Sequence, residues 1–383
     1  MQCEIILENG ILRRLATVAK DIFPVSCHES QNWLVTDQLV DGVYGDMVLE
    51  GLREAGLKVN KIVVPADTSD ETGESSAERH KTLQVFSNCV DQILETGIDK
   101  HSAIISLGGG VVNNLAGVLA ATLYRGITLV HLTTSFMGQV DAAIDFKQAV
   151  NHRLGKNLLG AYHPAARIIL DPTVLLSLSK RHLLNGMSES IKHCLCQSEP
   201  LLNYILENIG LLDTDKTEEK IEYLSTVIKH TVGHKVPTLS GSTANNFNEF
   251  APQYGHSVGH AVEHLSFSCG EQALLHGEAI AIGMCVSAEI AYIMGVCSMD
   301  VVDYHYQVFR EAGLPVYVPR SQTIDAIATK IMYDKHYVKT PSMGFVVRPG
   351  EMYQVDGNYA HKVSNELLRE GLTRNIARRD SKC

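Results

Sequence analysis

Short apolar runs alternate with amphipathic stretches of helical length from residue 33 through the first half of the chain. This pattern predicts strands at 33–36, 61–64, 103–107 and 127–131, separated by helices at 38–55, 80–95 and 111–123. Strands separated by helical lengths imply a parallel sheet covered on both faces. The first half is therefore expected to form an α/β domain.

The second half has mainly helical periodicity. It predicts helices at about 181–197, 277–296, 301–312 and 322–333, a short strand pair near 344–347 and 352–355, and a last helix from about 358. We therefore expect an α/β domain of residues 1–175 followed by a mostly helical domain of residues 176–383.

Composition and charge narrow the class of protein. The chain has 383 residues, 45% of them hydrophobic and 20% charged, which suits two globular domains. A net charge of −10 without a Lys/Arg-rich run argues against nucleic acid or anionic membranes as partners. No apolar run reaches the length of a spanning helix, a signal-peptide layout is absent, and nine irregularly spaced cysteines suit reduced thiols. These features predict a cytoplasmic protein.

Histidines concentrate between residues 254 and 278. His256 and His260 are four apart, so on a helix they lie on one face, and His276 begins the next apolar helix. Several imidazoles with carboxylates nearby are typical of a divalent-metal site, whereas solvated histidines on two helices are the alternative. A zinc-protease helix is excluded, because Ser257 stands where that motif needs glutamate.

Polar and glycine residues follow the predicted strands. Gly108–Gly110 come after the third strand, where bare backbone amides at a helix N-terminus can hold a phosphate, although a tight turn is the alternative. Asp37 ends the first strand and could bind a ribose or cap a helix, and Thr133 and Thr134 end the fourth. Asp37 precedes the glycines by about seventy residues, whereas in the usual dinucleotide fingerprint the acidic residue follows the glycine loop. That fingerprint is therefore absent.

A local surplus of basic residues lies between positions 122 and 170 of this acidic protein. It comprises Arg125, Lys147, Arg153, Lys156 and Arg167, against Asp141 and Asp145. Such a surplus indicates a small phosphorylated anion as ligand, and a solvated loop is the alternative.

Taken together, the motifs resemble those of the sugar phosphate cyclases, the family of 3-dehydroquinate synthase and 2-deoxy-scyllo-inosose synthase. The resemblance covers roughly residues 33–350. The motifs, in the family's order, are Gly-Gly-Gly, Thr-Thr, Val-Asp-Ala-Ala, Gly-Lys-Asn-Leu-Leu-Gly-Ala, Gly-Met-Ser-Glu-Ser-Ile-Lys, Gly-His-Ser-Val-Gly-His and Leu-His-Gly-Glu. The resemblance implies an N-terminal parallel-sheet NAD-binding α/β domain, a mostly helical metal-binding domain and a homodimer.

The resemblance also implies roles for individual residues. One Zn2+ or Co2+ ion would be bound by Glu189, His256 and His276. NAD would be contacted by Asp37, Glu78, Lys81, Gly109, Gly110, Asn114, Thr133, Thr134, Asp141, Lys156 and Ser177. The substrate would be contacted by Arg125, Lys147, Asn157, Lys192, Lys235 and Glu249, with Arg125 reaching a phosphate, in this family often across a dimer interface. The catalytic positions would be Lys147, Lys192, Gln253 and His260, the last as a proton-relay or hydrogen-bonding group instead of a metal ligand.

The family chemistry follows from this set of groups. NAD+ transiently oxidises a ring hydroxyl, phosphate leaves by β-elimination, the hydride returns, and the product closes to a carbocycle. The net reaction is therefore phosphate loss with cyclisation and no net oxidation.

Three positions bear on the substrate. Asn114 stands where 3-dehydroquinate synthases carry Asp, the run Lys147–Asn151 resembles the inosose synthases, and Glu249 replaces an Arg that pairs with an acidic substrate's carboxylate. These features favour a neutral sugar phosphate, most simply glucose 6-phosphate converted to 2-deoxy-scyllo-inosose for antibiotic biosynthesis.

Other features keep alternatives open. Gln253 replaces a catalytic Glu of the inosose synthases, and Leu132 replaces the usual Pro, so a sedoheptulose 7-phosphate cyclase or a 3-dehydroquinate synthase stays open. Metal-dependent alcohol dehydrogenases share the two-domain plan, and a binding protein with an inactive site is a third class.

Overall fold

The computed structural model describes residues 3–153, 155–239, 253–268, 272–331, 337–338 and 340–381. The chain divides into two compact units. The first comprises Met1–Asp70, Glu74–Leu183 and Thr217–Ser225, and the second comprises Glu71–Gly73, Leu184–Lys216 and Thr226–Cys383. The domain boundary expected after residue 175 stays a prediction, because compactness alone does not show which segment folds independently.

A six-stranded parallel sheet forms the centre of the first unit, with strand order β1-β8-β5-β4-β2-β3. Its strands are β1 (Glu4–Leu7), β2 (Gln31–Asp37), β3 (Lys58–Val64), β4 (Ala103–Gly108), β5 (Thr128–Thr133) and β8 (Arg167–Leu170). All six residues of β4 are buried, which explains its continuous apolar run. The predicted parallel α/β fold followed by a mostly helical part is confirmed.

Sequence reasoning missed strands β1 and β8, the helix Leu15–Ile22 and a hairpin in this unit. The edge strand β1 pairs with β8 in register Glu4–Arg167 to Leu7–Leu170. The basic segment after Thr134 contains an antiparallel hairpin of β6 (Lys147–His152) and β7 (Gly155–Tyr162), where we expected no strand.

Helices connect the strands of the first unit. They are α1 (Leu15–Ile22), α2 (Gln38–Val40), α3 (Asp46–Glu54), α4 (Leu83–Thr96) and α5 (Gly110–Thr122). The single helix predicted at 38–55 is interrupted by a π-helical turn at Asp41–Gly45. Gly42 and Gly45 lie in that turn, and glycine weakens a regular helix.

The remaining helices are α6 (Lys180–Gln197), α7 (Glu199–Asn208), α8 (Thr217–Leu239), α9 (His256–Ser266), α10 (His276–Ile293), α11 (Met299–Glu311), α12 (Ile324–Ile331) and α13 (Asn365–Asp380). Short strands β9 (Tyr337–Val338), β10 (Thr340–Met343), β11 (Val346–Arg348), β12 (Glu351–Met352) and β13 (His361–Lys362) accompany them. In the part of the chain that is described, no helix has the length and apolar character needed to cross a bilayer.

Apolar faces of α9, α10, α12 and α13 form the core of the second unit. Val258 and Val262 of α9 pack in one cluster with Ile282, Val286 and Ile290 of α10. This packing fixes the N-terminal ends of α9 and α10, where the histidines begin.

Candidate active site

Helix α6 contributes two charged side chains that are fully buried. Glu189 and Lys192 are three residues apart, both 0% exposed, and the Lys192 ammonium donates to Glu189 Oε2. A buried charge needs a partner, and this pair satisfies one oxygen of the carboxylate.

Three histidines lie beside Glu189. His256 and His260 are on α9 and His276 begins α10, and one ring nitrogen from each lies within 4.8 Å of the others. Glu189 Oε1 lies 3.9 Å from His256 Nε2 and 3.6 Å from His276 Nε2. The structure therefore brings together all the predicted metal ligands and also His260.

Local packing explains how His276 reaches α6. A Cβ atom at Gly277 would collide with the main-chain carbonyl of Asn185, so glycine permits this close approach. The Gly277 amide also donates to Asn185 Oδ1 at 2.6 Å. Ser266 Oγ accepts from the Leu274 amide at 3.0 Å, which joins the end of α9 to the start of α10.

The outer nitrogens of two histidines are already bonded. His256 Nδ1 lies 3.1 Å from the Tyr254 carbonyl oxygen, and His276 Nδ1 lies 3.1 Å from Glu263 Oε2. A carbonyl or carboxylate oxygen can only accept, so we assign the ring proton to Nδ1 in both. In the neutral ring this assignment leaves the lone pair of Nε2 on the Glu189 side, as in metal sites where a second partner orients the ligand.

Electrostatics differ between the two histidines. Burial, followed by the positive charge of Lys192, holds the pKa of His256 well below its usual range. Burial also lowers the pKa of His276, but the carboxylates of Glu189 and Glu263 outweigh it and raise that pKa to about 10. Burial raises the pKa of Glu189, yet Lys192 and then His276 bring it below its ordinary value. The negative charge around His276 favours a cation there, either the imidazolium itself or a metal ion that displaces the Nε2 proton.

The donor set fits a divalent metal. Glu189 Oε1 is buried and accepts a hydrogen bond from no residue that the structure describes, while Nε2 of His256 and Nε2 of His276 face it. One carboxylate and two imidazoles match the ligand preference of Zn2+ or Co2+ with positions left for substrate oxygens. His260 lies close to both rings, with ring centroids 5.1 Å from His256 and 5.6 Å from His276.

Three further predicted residues belong to this part of the chain. Lys235 of α8 is 0% exposed, and Gln253 is half-buried just before α9. Glu249 lies outside the described residues.

The glycine segment of the first unit has the expected geometry. Gly109 caps α5 and Gly110 begins it, directly after β4. A Cβ atom at Gly109 would lie 2.9 Å from Ser135 Oγ, so the space above these amides is narrow. Thr133 is fully buried at the end of β5, and the Thr134 amide donates to the Gly108 carbonyl at 2.9 Å.

Asn114 joins α5 to the hairpin. Its Nδ2 donates to the Gly110 carbonyl at 2.9 Å, and its Oδ1 accepts from the Ala149 amide at 3.0 Å. The side chain thereby links the glycine segment to the strand that begins with Lys147.

A second group of predicted residues forms one polar network. Lys81 Nζ donates to Asn157 Oδ1 at 2.8 Å. Glu78 Oε1 lies 3.7 Å from Lys81 Nζ and 3.8 Å from Lys156 Nζ, and it accepts from Asn151 Nδ2 at 2.8 Å. Four residues that were predicted separately for cofactor or substrate therefore meet, with Asn151 joining them.

The other predicted residues of this unit have mainly local contacts. Asp37 Oδ1 accepts from the Leu39 and Val40 amides at 2.9 and 3.0 Å, so Asp37 caps a helix, as the alternative interpretation of this residue expected. Burial raises the pKa of Asp37, and this effect outweighs the two hydrogen bonds, which lower it. Ser177 Oγ donates to the Val174 carbonyl at 2.8 Å.

Three charged residues complete the predicted set. Asp141 lies in the π-helical turn Gly138–Ala142, and Lys147 Nζ lies 3.5 Å from Asp145 Oδ2. Arg125 is exposed, with a left-handed φ of 66°.

Sequence reasoning gave no role to Glu263 or Asn151. The helical spacing places Glu263 on the same face as His260, but its contact with His276 depends on the packing of α9 against α10. Asn151 was noted only as the end of the run Lys147–Asn151, because its contacts with Glu78 and Asn157 depend on the pairing of the hairpin.

This chain is similar to known proteins over most of its length. Family models described as the N-terminal and C-terminal parts of 3-dehydroquinate synthase match residues 73–185 and 186–337. The 3-dehydroquinate synthase of Synechocystis sp. is 31% identical over 358 residues, which are 94% of either chain.

Two solved structures share the fold. The 2-epi-5-epi-valiolone synthase of Streptomyces hygroscopicus, with NAD+ and Zn2+ bound, matches with a TM-score of 0.81 and 25% identity over 99% of this chain and 98% of that chain. A 2-deoxy-scyllo-inosose synthase complexed with carbaglucose-6-phosphate, NAD+ and Co2+ matches with a TM-score of 0.78 and 24% identity. The match covers 97% of this chain and 96% of that chain. The two family models and the 31% identity establish that this chain belongs to the 3-dehydroquinate synthase family of sugar phosphate cyclases.

Proposed function

We propose that this chain uses NAD+ and one Zn2+ or Co2+ ion to eliminate phosphate from a neutral sugar phosphate and close a carbocycle. The substrate that we favour is glucose 6-phosphate, giving 2-deoxy-scyllo-inosose for antibiotic or other secondary metabolism. The observation that carries the proposal is the buried Glu189 Oε1, which faces Nε2 of His256 and His276.

The metal would be held by Glu189, His256 and His276, and when bound it would supply a Lewis acid for a substrate oxygen. NAD+ would supply a hydride acceptor that is regenerated in each turnover. The positive charge of Lys192, followed by the contact with His276, keeps the Glu189 carboxylate ionised. His260 is close to both histidine ligands and half-buried, so it is suited to pass a proton between substrate and solvent.

The cofactor and the phosphate would be held by residues of the first unit. The amides at Gly109 and Gly110 suit a pyrophosphate, since they open helix α5 in a narrow space. The network of Lys81, Lys156 and Asn157 offers cationic and amide groups to NAD and substrate.

The choice of a neutral substrate rests on charge. An acidic heptulosonate phosphate brings a carboxylate as well as its phosphate, and Glu249 stands where its partner arginine would be needed. Losing a charge-assisted pair and gaining a like charge should cost several kcal/mol, a discrimination of at least about a hundredfold. Asn114 supports the same choice, because an amide replaces the Asp of 3-dehydroquinate synthases.

The test is a measurement of inorganic phosphate release from three substrates. We expect turnover of glucose 6-phosphate and rejection of 3-deoxy-arabino-heptulosonate 7-phosphate, with sedoheptulose 7-phosphate as the third arm. Glu249→Arg should relax the rejection of the acidic substrate. Efficient turnover of the heptulosonate by the unchanged protein would refute the neutral substrate.

A 3-dehydroquinate synthase is the second candidate, favoured by the 31% identity to the Synechocystis sp. enzyme. The same assay separates the two candidates, because only a 3-dehydroquinate synthase is required to turn over the heptulosonate. Preference for sedoheptulose 7-phosphate would instead assign a seven-carbon cyclase.

We also propose a homodimer in which Arg125 reaches the phosphate bound by the second copy. The residue is exposed on a left-handed turn, so its side chain is available to a partner. Light scattering after gel filtration should give twice the chain mass of 42.0 kDa. A monomer with full activity would exclude this role.

A further inference from the structure

One buried residue contacts the metal-site histidine through its main chain and a second histidine through its side chain. The Tyr254 carbonyl oxygen lies 3.1 Å from His256 Nδ1. The Tyr254 hydroxyl lies 2.9 Å from Nε2 of His305, which belongs to α11. Both Tyr254 and His305 are 0% exposed.

The direction of each hydrogen bond follows from the acceptors. His305 Nδ1 lies 2.8 Å from the Val301 carbonyl oxygen, which can only accept, so we assign the ring proton to Nδ1. His305 Nε2 then accepts from the Tyr254 hydroxyl. Burial lowers the pKa of His305 to about 4, consistent with a neutral ring. The phenol and both ring nitrogens of His305 are therefore satisfied.

The backbone between Tyr254 and His256 has little freedom to move. Gly255 has a left-handed φ of 77°, and a Cβ atom there would lie 2.8 Å from the Met284 amide nitrogen. The turn is thus packed against α10. Gly255 fixes the turn that follows Tyr254, and His305 fixes the Tyr254 ring. Together the main chain and the side chain set the direction in which the Tyr254 carbonyl points.

We propose that Tyr254 and His305 are positioning residues that orient the imidazole of His256, so that its Nε2 points toward Glu189 and the metal. The inference rests on the proposed metal site. His276 is oriented by a carboxylate, Glu263, whereas His256 is oriented by a neutral carbonyl that is anchored through a phenol–imidazole pair. Partners of this kind typically contribute 10- to 100-fold to metal affinity.

The test measures Co2+ binding to the full chain by competition with a chromophoric chelator, together with the visible spectrum of bound Co2+. Tyr254→Phe keeps the ring and removes the hydroxyl. We expect about tenfold weaker Co2+ affinity and a shifted ligand-field spectrum. The matched control is Tyr306→Phe, which removes a buried hydroxyl that accepts from Asn375 Nδ2 at 2.8 Å. The control should lose thermal stability and keep the wild-type affinity and spectrum.

A pair of His305 variants tests the same inference if Tyr254→Phe does not fold. In His305→Gln the side-chain amide reaches the former Nε2 position, whereas in His305→Asn it reaches only the Nδ1 position. We expect His305→Gln to retain most of the Co2+ affinity and His305→Asn to bind Co2+ about tenfold more weakly, as Tyr254→Phe does.

Two results would overturn the inference. One is a Tyr254→Phe variant with wild-type affinity and spectrum, or one no weaker than the Tyr306→Phe control. The other is equal affinity in the two His305 variants. Failure of the unchanged protein to bind Co2+ would instead refute the proposed metal site, so the two failures are distinguishable.

Discussion

The two units of this protein hold their candidate functional groups in different ways. In the first unit the groups are backbone amides and short polar side chains at strand ends, as at Gly109 and Thr133. In the second they are ionisable side chains within packed helices, where Glu189 and Lys192 are fully buried and His256 is 7% exposed. The first arrangement depends on the path of the main chain, whereas the second depends on partners that fix each charge and each ring.

The largest effect is expected from removing a metal ligand. His276→Ala should reduce bound metal to near zero and lower phosphate release at least about a thousandfold, since a Lewis acid contributes several kcal/mol. His260→Ala is the matched control, because it removes a neighbouring imidazole that we assign to proton transfer. It should retain metal and lose about a hundredfold in turnover.

Metal content by elemental analysis and the fold by circular dichroism check this prediction. Full metal occupancy in His276→Ala, or loss of metal in His260→Ala, would show that the ligand assignment is wrong.

A smaller effect is expected from blocking the glycine segment of the first unit. Gly109→Val adds a side chain whose Cβ lies 2.9 Å from Ser135 Oγ. Overpacking of this kind costs about 1–3 kcal/mol, so NAD+ affinity should fall roughly 5- to 150-fold while Co2+ affinity is unchanged.

Isothermal titration with NAD+ and with Co2+ measures both affinities. Gly210→Ala is the control, since a Cβ atom there meets nothing within 4 Å. Unchanged NAD+ affinity in Gly109→Val would remove the glycine segment from the cofactor site, and a parallel loss of Co2+ affinity would show that the substitution disturbs the fold as a whole.

A third effect concerns the acid stability of the first unit and does not involve the candidate site. His131 is fully buried beside Ser106 Oγ, at 2.7 Å from Nδ1, and burial followed by the charge of His163 lowers its pKa from 6.5 to about 3. Between pH 6.5 and about pH 3 the imidazole of His131 is protonated in the unfolded chain and neutral in the folded chain, so the unfolded chain binds one proton more. This group therefore lowers stability as the pH falls below about 6.5, by up to about 1.4 kcal/mol per pH unit.

His131→Asn keeps a polar atom near Ser106 and removes the titration. Urea unfolding at several pH values between 7 and 4 gives the free energy of unfolding. Its pH dependence should correspond to one bound proton fewer in the variant than in the unchanged protein. An unchanged dependence would show that His131 does not remain neutral in the folded protein.

Much of the first unit could be predicted because its strands are buried along their length. The continuous apolar run of β4 is an example, since all six of its residues are buried. The β6–β7 hairpin was missed because its charged, small and apolar residues give no clear period, and its register depends on cross-strand pairing. Without that pairing, Asn151 could not be connected to Glu78 and Asn157.

In the second unit the spacing of His256 and His260 and the position of His276 indicated a shared site. The partners that orient them could not be predicted. The Tyr254 carbonyl reaches His256 only because of the turn at Gly255, and Glu263 reaches His276 only because α9 and α10 pack together. Such contacts depend on tertiary packing, which a local sequence pattern does not specify.

The most direct test of a redox-neutral cyclase is the ratio of phosphate released to NAD+ supplied. The protein is loaded with Zn2+ or Co2+ and incubated with glucose 6-phosphate and trace NAD+, while phosphate and NADH absorbance are followed together. We expect many equivalents of phosphate per NAD+ and no accumulation of NADH. Accumulation of NADH in equal amount to an oxidised product, without phosphate release, would contradict a redox-neutral cyclase and assign a metal-dependent dehydrogenase.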